Sequence, residues 1–339
     1  MSLLLELNDH GLYCAAGDFY IDPWQPVHRA LVTHAHADHS RPGSAHYLIA
    51  EASLPVSRWR LGAEAPIETI PYHKPIEING VRISYHPAGH IIGSAQIRVE
   101  YRGEVWVASG DYKIAPDPTC APFEPVPCHT FITEATFGLP IYRWPEEAAV
   151  FGEVNDWWRQ NQADGKASVI FAYALGKAQR VMTGIDPTIG PIFVHGAVNN
   201  MNRMVAQAGL SLPHSTYVNE APAKTDWSQA LIIAPTSARG TPWLRRFGAI
   251  STAFASGWML VRGQRRRRSV DRGFVLSDHV DWEGLMLSVA ATGAERVLVT
   301  HGNVPVVARY LREARGIEAY GLATPYGTDD DDATAEESE

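Results

Sequence analysis

His34, His36, Asp38 and His39 fall within six positions of a chain of 339 residues that holds 14 histidines. Three imidazoles and a carboxylate in so short a run can ligate zinc or another transition ion, and the carboxylate can also hold or bridge a harder cation. The cluster follows an apolar run, Arg29-Ala30-Leu31-Val32-Thr33. If the chain there is extended, His34 and His36 point the same way, because side chains alternate along a strand. The Asp38-His39 pair then turns toward a second ion. Chance scatter of histidines in a polar loop accounts poorly for four ligand-type side chains in six positions.

Further ligand-type residues lie at strand ends or in tight loops: Asp22 after Phe19-Tyr20-Ile21, His90 in Pro87-Ala88-Gly89-His90, and Asp111 in Ser109-Gly110-Asp111-Tyr112. Glu134 in Thr133-Glu134-Ala135-Thr136, His279 in Ser277-Asp278-His279 and His301 in Thr300-His301-Gly302 complete the set. Functional residues concentrate on loops held by a rigid sheet. Each also has a plain structural reading. Asp22 before Pro23 suits a turn, His279 could cap the helix that follows (though Asp278 or Asp281 would do so better), and His301-Gly302 can end a strand. Together they supply the ligand count that two metal ions need. Cys128-His129 is a weaker metal pair, and a partly buried thiol beside a loop histidine is the preferred reading. Gly176-Lys177 is not a phosphate-binding loop of the Gly-rich type: position 171 is Phe and no Ser or Thr follows the lysine, so no ATP site is expected.

The elements that would position these residues change character along the chain. The first ~140 residues hold short strand-like runs, Val81–Tyr85, Ala95–Tyr101 and Val105–Ala108, with Asn79-Gly80 and Arg102-Gly103 suited to hairpin turns. Beyond Trp144-Pro145 a helix is expected over Glu146–Gln162, started by Pro145 and ended near Gly165. Strands at Ala167–Ala172, Pro191–Val194, Leu231–Ala234 and Ile250–Ala255 then alternate with helices at Gly176–Ile185, Asn199–Ala208 and Thr241–Phe247. Apolar strands alternating with helices indicate a parallel sheet. Strand Gly273–Leu276, helix Trp282–Ala291, strand Arg296–Thr300 and helix Val304–Arg315 follow. Because ligand-type residues fall on both sides of the α/β stretch, that stretch reads as an insertion. The expected division is 1–140 with 265–326 as the metal-binding domain, 141–264 as the insertion, and 327–339 as a disordered acidic tail.

The net charge of −8 misleads about partners. The last eleven residues, DDDDATAEESE, hold seven acids, and removing them from the 37 acids leaves 30 against 29 bases. Arg262, Arg265, Arg266, Arg267, Arg268 and Arg272 put six cations in eleven positions, with Arg239, Arg245 and Arg246 shortly before. A local basic stripe on a neutral body is what contact with a phosphate backbone requires, although a solvated loop without a partner has the same composition. No apolar run approaches the ~20 residues that span a bilayer, so no membrane partner is expected. The opening MSLLLELNDHG meets an acid early and lacks a basic stretch, so no signal peptide is expected. The three cysteines, Cys14, Cys120 and Cys128, are odd in number and unpatterned, as in reduced residues of a cytoplasmic protein.

The run THAHADHS, followed in order by PAGH, SGDY and THG, resembles the metallo-β-lactamase superfamily. TEATFG, the inserted α/β stretch, and SDHVDWEGL before THG resemble its β-CASP branch, which processes nucleic acids. Within that branch, PTSARGTPWLRRF and AFASGWM resemble bacterial proteins described as ligase-associated DNA exonucleases, also described as mRNA 3′-end processing factor-like. The resemblance covers about residues 10–326. HxHxDH alone marks only the superfamily, whereas its combination with Glu134, His279 and His301 is more specific.

The resemblance implies an αββα sandwich with an inserted α/β cap and an active site in the cleft between them. One ion would be held by His34, His36 and His90 and the other by Asp38, His39 and His301, with Asp111 bridging. Asp22 would bond a ligand histidine or order the loop. The cofactors expected are two divalent ions per chain, Zn²⁺ or Mn²⁺. Two such ions about 3.5–4 Å apart activate water at neutral pH and offset charge at phosphorus. His279 is the expected proton donor to the leaving ribose oxygen, with Glu134 orienting it; with Asp38, these are the residues expected to carry catalysis. Arg239, Ser256 and the arginines from Arg262 to Arg268, with Ser237 and Gly257, would hold the nucleic-acid backbone.

The favoured function is metal-dependent phosphodiester hydrolysis of single-stranded DNA, exonucleolytic and tied to repair. A DNA ligase and a helicase are functional partners by the same resemblance. The first rival is RNA processing by the same chemistry. The RNA-acting members of the branch carry a histidine where His301 stands, which the eukaryotic cross-link-repair nucleases are expected to lack. A small-molecule metallo-hydrolase would need neither the insertion nor the arginine stripe. An inactive nucleic-acid-binding subunit would have lost ligands that are all present here.

Overall fold

The computed structural model describes residues 3–261 and 270–323. By its internal contacts the described chain divides into two compact units: residues 3–143 with 279–323, and residues 144–261 with 270–278.

The first unit begins with six strands: β1 (Glu6–Asn8), β2 (Gly11–Cys14), β3 (Phe19–Ile21), β4 (Arg29–Leu31), β5 (His46–Ala50) and, after helix α1 (Leu54–Leu61), β6 (Ile67–Ile70). They form one sheet in sequence order, antiparallel from β1 to β3 and parallel from β3 to β6. Next come β7 (Ile76–Ile78), β8 (Val81–Pro87), β9 (Ala95–Tyr101), β10 (Glu104–Ala108) and β11 (Thr130–Glu134). The second unit follows, with α2 (Glu147–Ala163), β12 (Ala167–Phe171), α3 (Lys177–Gly184), β13 (Ile192–Val194), α4 (Gly196–Gln207), β14 (Thr216–Tyr217), β15 (Leu231–Ala234), β16 (Ile250–Ala255) and β17 (Arg272–Phe274). The chain then returns to the first unit with α5 (Trp282–Thr292), β18 (Arg296–Thr300), α6 (Val304–Arg315) and β19 (Glu318–Gly321). The second sheet runs β19-β18-β11-β10-β9-β8-β7.

Strand alternation assigns the faces. In β10, Trp106 and Ala108 enter the core shared with Leu12, Ile21, Leu31 and Leu48 of the first sheet, while Val105 and Val107 pack with α5 and α6 residues such as Leu285, Val289 and Leu311. In β5, Leu48 faces the shared core and Tyr47 and Ile49 face the cluster containing Leu61 of α1. Period-two apolar residues on both faces bury both sides of each sheet, giving the layer order helix, sheet, sheet, helices. Each fully buried side chain of this kind contributes roughly 1.5–3 kcal/mol relative to exposure.

The second unit holds a six-stranded parallel sheet, β14-β13-β15-β12-β16-β17. The sequence reading placed its end at residue 264 and returned Gly273–Leu276 to the first unit. Instead β17 pairs parallel with β16, Phe254 opposite Gly273, and the first unit resumes at His279. Arg262, Arg265, Arg266, Arg267 and Arg268, and the acidic tail 327–339, lie outside the described residues. Among the described residues no helix is long and apolar enough to cross a membrane.

Candidate metal centre

The topology delivers the ligand-type residues to one edge. Strands β10, β11 and β18 run parallel, with Ala108 opposite Ile132 and Glu134 opposite Thr300. Strand β8 is antiparallel to β9, and β9 to β10, so β8 points the same way. The carboxyl ends of these strands therefore present His90, Asp111, Glu134 and His301 together. In the first sheet Asp22 follows β3 and His34 follows β4, its parallel neighbour. Ala95 N donates to Thr33 O at 2.8 Å, joining that loop to the second sheet.

The six residues from His34 to His39 are not extended. Strand β4 ends at Leu31, and the amides of His39 and Ser40 donate to His36 O at 3.2 and 2.8 Å in a tight turn. His34 and His36 converge just ahead of this turn, with His34 Nε2 3.2 Å from His36 Nδ1. His90 Nε2 is 3.1 Å from the same His36 nitrogen. Asp111 Oδ2 lies 3.5 Å from His34 Nε2 and 3.8 Å from His90 Nε2. Beside this group, His39 Nε2 is 3.4 Å from Asp38 Oδ2 and 3.5 Å from Asp111 Oδ2. The His39 and His301 ring centroids are 5.7 Å apart.

Asp22 organises the turn. It accepts from Thr33 N at 2.8 Å, from Thr33 Oγ1 at 2.5 Å and from His39 Nδ1–H at 2.7 Å. Because Thr33 Oγ1 donates to Asp22, it accepts from His34 Nδ1 at 3.1 Å. Both histidines are thereby fixed with Nδ1–H turned away and Nε2 turned toward Asp111. Two residues here have left-handed backbone uncommon outside glycine: Asp22 at φ 44 and His301 at φ 57. Glycines admit the close approaches. A Cβ on Gly110 (φ +57) would lie 2.6 Å from Thr33 Cβ, and one on Gly302 (φ +66) would lie 2.3 Å from Ala135 O.

The electrostatics are those of a cation site. Burial, then the neighbouring His39, holds the His34 ring well below its ordinary value, so it is neutral near pH 7. Burial, with His39 next, also lowers His301. Burial opposes charge on His39, but Asp38, Asp111 and Asp22 outweigh it and push that ring well above its ordinary value. Burial likewise opposes charge on Asp111, yet His39 and His279 hold its carboxyl well below the usual range. The neutral His34 ring, its Nε2 lone pair facing the Asp111 carboxylate at 3.5 Å, calls for an electrophile between them. Two nitrogens on one tetrahedral zinc ion, each at 2.0–2.1 Å, stand about 3.3 Å apart, close to the spacings among His34, His36 and His90. The residues therefore fit a divalent ion. His34, His36, His90 and Asp111 each offer a ligand atom, all mutually within 4.8 Å.

Glu134 and His279 adjoin this group. His279 Nδ1 lies 3.0 and 2.9 Å from the two Glu134 oxygens, and the Tyr112 amide donates to Oε1 at 2.9 Å. The His279 and His90 ring centroids are 4.8 Å apart.

Cys128 and His129 do not converge on a ligand set. His129 Nδ1 accepts from Val105 N at 2.9 Å, and burial pushes the Cys128 thiol up to about 12.

In the second unit the carboxyl ends of the parallel strands carry the other sequence candidates. Ser256 is buried and accepts from Trp258 N at 3.3 Å, starting a short 3₁₀ turn. Ser237 and Arg239 are exposed in the loop after β15. Two buried cations were missed by sequence reasoning. Arg180 of α3 pairs with Asp278 at 3.0 Å and also bonds Glu147 and Ser277 O; Lys177 lies 3.6 Å from Asp278 and over the Tyr173 ring.

No family model matches the chain. It is 30% identical over 316 residues to a protein of Opitutus terrae named "Probable DNA ligase", covering 92% of this chain and 30% of that protein. It is 25% identical over 300 residues to the endoribonuclease ysh1 of Aspergillus fumigatus, covering 78% of this chain and 32% of that protein. Over 124 residues it is 28% identical to the endoribonuclease YSH1 of Saccharomyces cerevisiae, 35% of this chain and 15% of that protein. The chain thus spans about a third or less of the length of these curated relatives.

Proposed function

We propose that this chain is a metal-dependent nuclease of the β-CASP branch of the metallo-β-lactamase superfamily, acting on single-stranded DNA. The observation that carries this reading is the adjacency of the His34–His36–His90–Asp111 cluster to the Glu134–His279 pair. The layer order of the first unit and the inserted parallel sheet support the fold. Similarity to proteins named as endoribonucleases and as a DNA ligase supports nucleic acid as the substrate class. The 92% coverage by the ligase-named relative favours DNA and a functional association with a ligase; a helicase partner rests on family resemblance alone.

In this reading His34, His36 and His90 would hold one divalent ion and Asp38, His39 and His301 the other, with Asp111 shared between the two sets. Zinc or manganese there would supply activated water at neutral pH and charge compensation at phosphorus. Asp22 fixes the tautomers of His34 and His39, directly or through Thr33. Glu134 accepts the Nδ1–H of His279 and stabilises the protonated ring, whose Nε2–H would pass to the leaving oxygen and leave the ring neutral. The arginines around Arg262–Arg268, with Arg239 and Ser256, hold backbone phosphates.

The second reading is RNA processing by the same residues, favoured by the endoribonuclease relatives and by His301. The test is digestion of end-labelled single-stranded DNA and RNA of one sequence. The proposal expects faster cleavage of DNA from an end. Faster RNA cleavage would assign the second reading, and cleavage of neither would overturn both.

A further inference from the structure

We propose a second metal site, separate from the buried cluster, in which His73, His86 and Glu124 hold a transition ion. Each offers a ligand atom, and the three atoms lie mutually within 4.8 Å. His73 Nε2 is 3.6 Å from Glu124 Oε2, and the His73 and His86 ring centroids are 5.2 Å apart at 75°.

Three segments build the site, and β8 ties them together. His86 lies in β8 itself, its Nε2 3.0 Å from Ser84 Oγ. His73 lies in the turn between β6 and β7 with left-handed backbone (φ 65), its amide donating to Tyr85 O at 2.8 Å. Glu124 lies in the loop between β10 and β11; its amide donates to Pro87 O at 3.3 Å, and Gln96 Nε2 donates to its carbonyl at 2.7 Å.

The chemistry selects the ion. Two imidazoles and one carboxylate suit zinc, cobalt, nickel or copper(II) and not magnesium or calcium, and three protein ligands leave a position for water. The His73–Glu124 pair alone, half exposed, would be a surface contact worth roughly 0–1 kcal/mol. The partly buried His86 ring, held in β8 beside Ser84, brings the third donor to the pair.

The site has a bearing on the buried cluster. His86 stands four residues before His90 on the same segment. The Glu124 loop also presses on that segment: a Cβ on Gly89 would lie 2.2 Å from Lys113 O and 3.0 Å from Phe123 N. An ion on His73, His86 and Glu124 clips this loop to the strand that delivers His90. The inference does not depend on the nuclease reading.

The test uses the metal-free full chain titrated with Co²⁺ in a Cys120→Ser background. A His73→Cys variant is expected to show a thiolate-to-cobalt charge-transfer band absent from the His73 parent and lost when His86→Ala is added. By elemental analysis, His73→Ala with Glu124→Gln is expected to hold one ion fewer per chain than the parent. No band, a band that survives His86→Ala, or equal ion counts would each overturn the site. All three side chains are partly exposed, and circular dichroism of each variant checks its fold.

Discussion

Glu134 presents both carboxylate oxygens to a single nitrogen of His279, at 3.0 and 2.9 Å. A carboxylate shared in this way orients the ring and stabilises its protonated form. Glu134 is buried and is itself positioned by the Tyr112 amide, so its geometry is set by the sheet. His279→Ala is expected to slow cleavage ~10²–10⁴-fold with metal content unchanged, the usual contribution of a general acid. Glu134→Gln should cause a smaller loss and shift the alkaline limb of the pH–rate profile toward lower pH. Single-turnover rates with metal analysis check both; an unchanged rate in His279→Ala would remove the residue from catalysis.

Asp22 acts on the centre through other residues. Its carboxylate bonds Thr33 and His39, and Thr33 sets the tautomer of His34. Asp22→Asn should weaken metal affinity by ~10–100-fold, the usual effect of altering the partner of a ligand histidine. Competition with a chromophoric chelator measures this, and wild-type affinity would make Asp22 a turn residue only.

The metal-free protein should lose stability on acidification in part through His34. Burial lowers this ring, so between about pH 6.5 and its folded value the unfolded chain binds a proton that the folded chain does not. Stability from this group falls as pH drops below about 6.5. His39, pushed up, works in the opposite sense: its contribution is present below about 6.5 and is lost as pH rises through the folded value. His34→Gln should therefore narrow the gap between denaturation midpoints at pH 7 and pH 5. Parallel losses in wild type and variant would contradict this assignment.

Replacing Arg265, Arg266, Arg267 and Arg268 with Ser should weaken nucleic-acid binding across sequences. If all four contact phosphates of a single strand, the slope of log K against log salt should fall by up to about 3. Affinity measured from 50 to 200 mM salt checks this, and an unchanged slope would make the stripe a bystander.

Much of the fold was legible because long apolar runs declare themselves. Leu231–Ala234, Ile250–Ala255, Arg296–Thr300 and the helix Val304–Arg315 begin and end where the sequence placed them. Helix α1, LPVSRWRL, was missed because its apolar residues form no clear stripe, and β14 because it has two residues. The end of the second unit was misplaced because β17 is a three-residue strand, Arg-Gly-Phe, defined only by pairing with β16. The compact run from His34 to His39 advertised itself, but it is not one extended segment: the His39 and Ser40 amides close a turn on His36 O, and His39 is tied to Asp22, 17 positions earlier, by a bond that no local pattern encodes. Lys177 and Arg180 were passed over because their shared partner Asp278 is 98 positions beyond Arg180. His73, His86 and Glu124 come together only through strand pairing.

The central claim is that the buried cluster holds ions that the reaction requires. The direct measurement is cleavage of labelled single-stranded nucleic acid by chelator-stripped protein, before and after Zn²⁺ or Mn²⁺ is restored. The account predicts no cleavage when stripped, recovery on restoring metal, and no recovery in Asp38→Ala with His39→Ala, which should still bind nucleic acid. Cleavage by the stripped protein, or by the double variant at the wild-type rate, would contradict it.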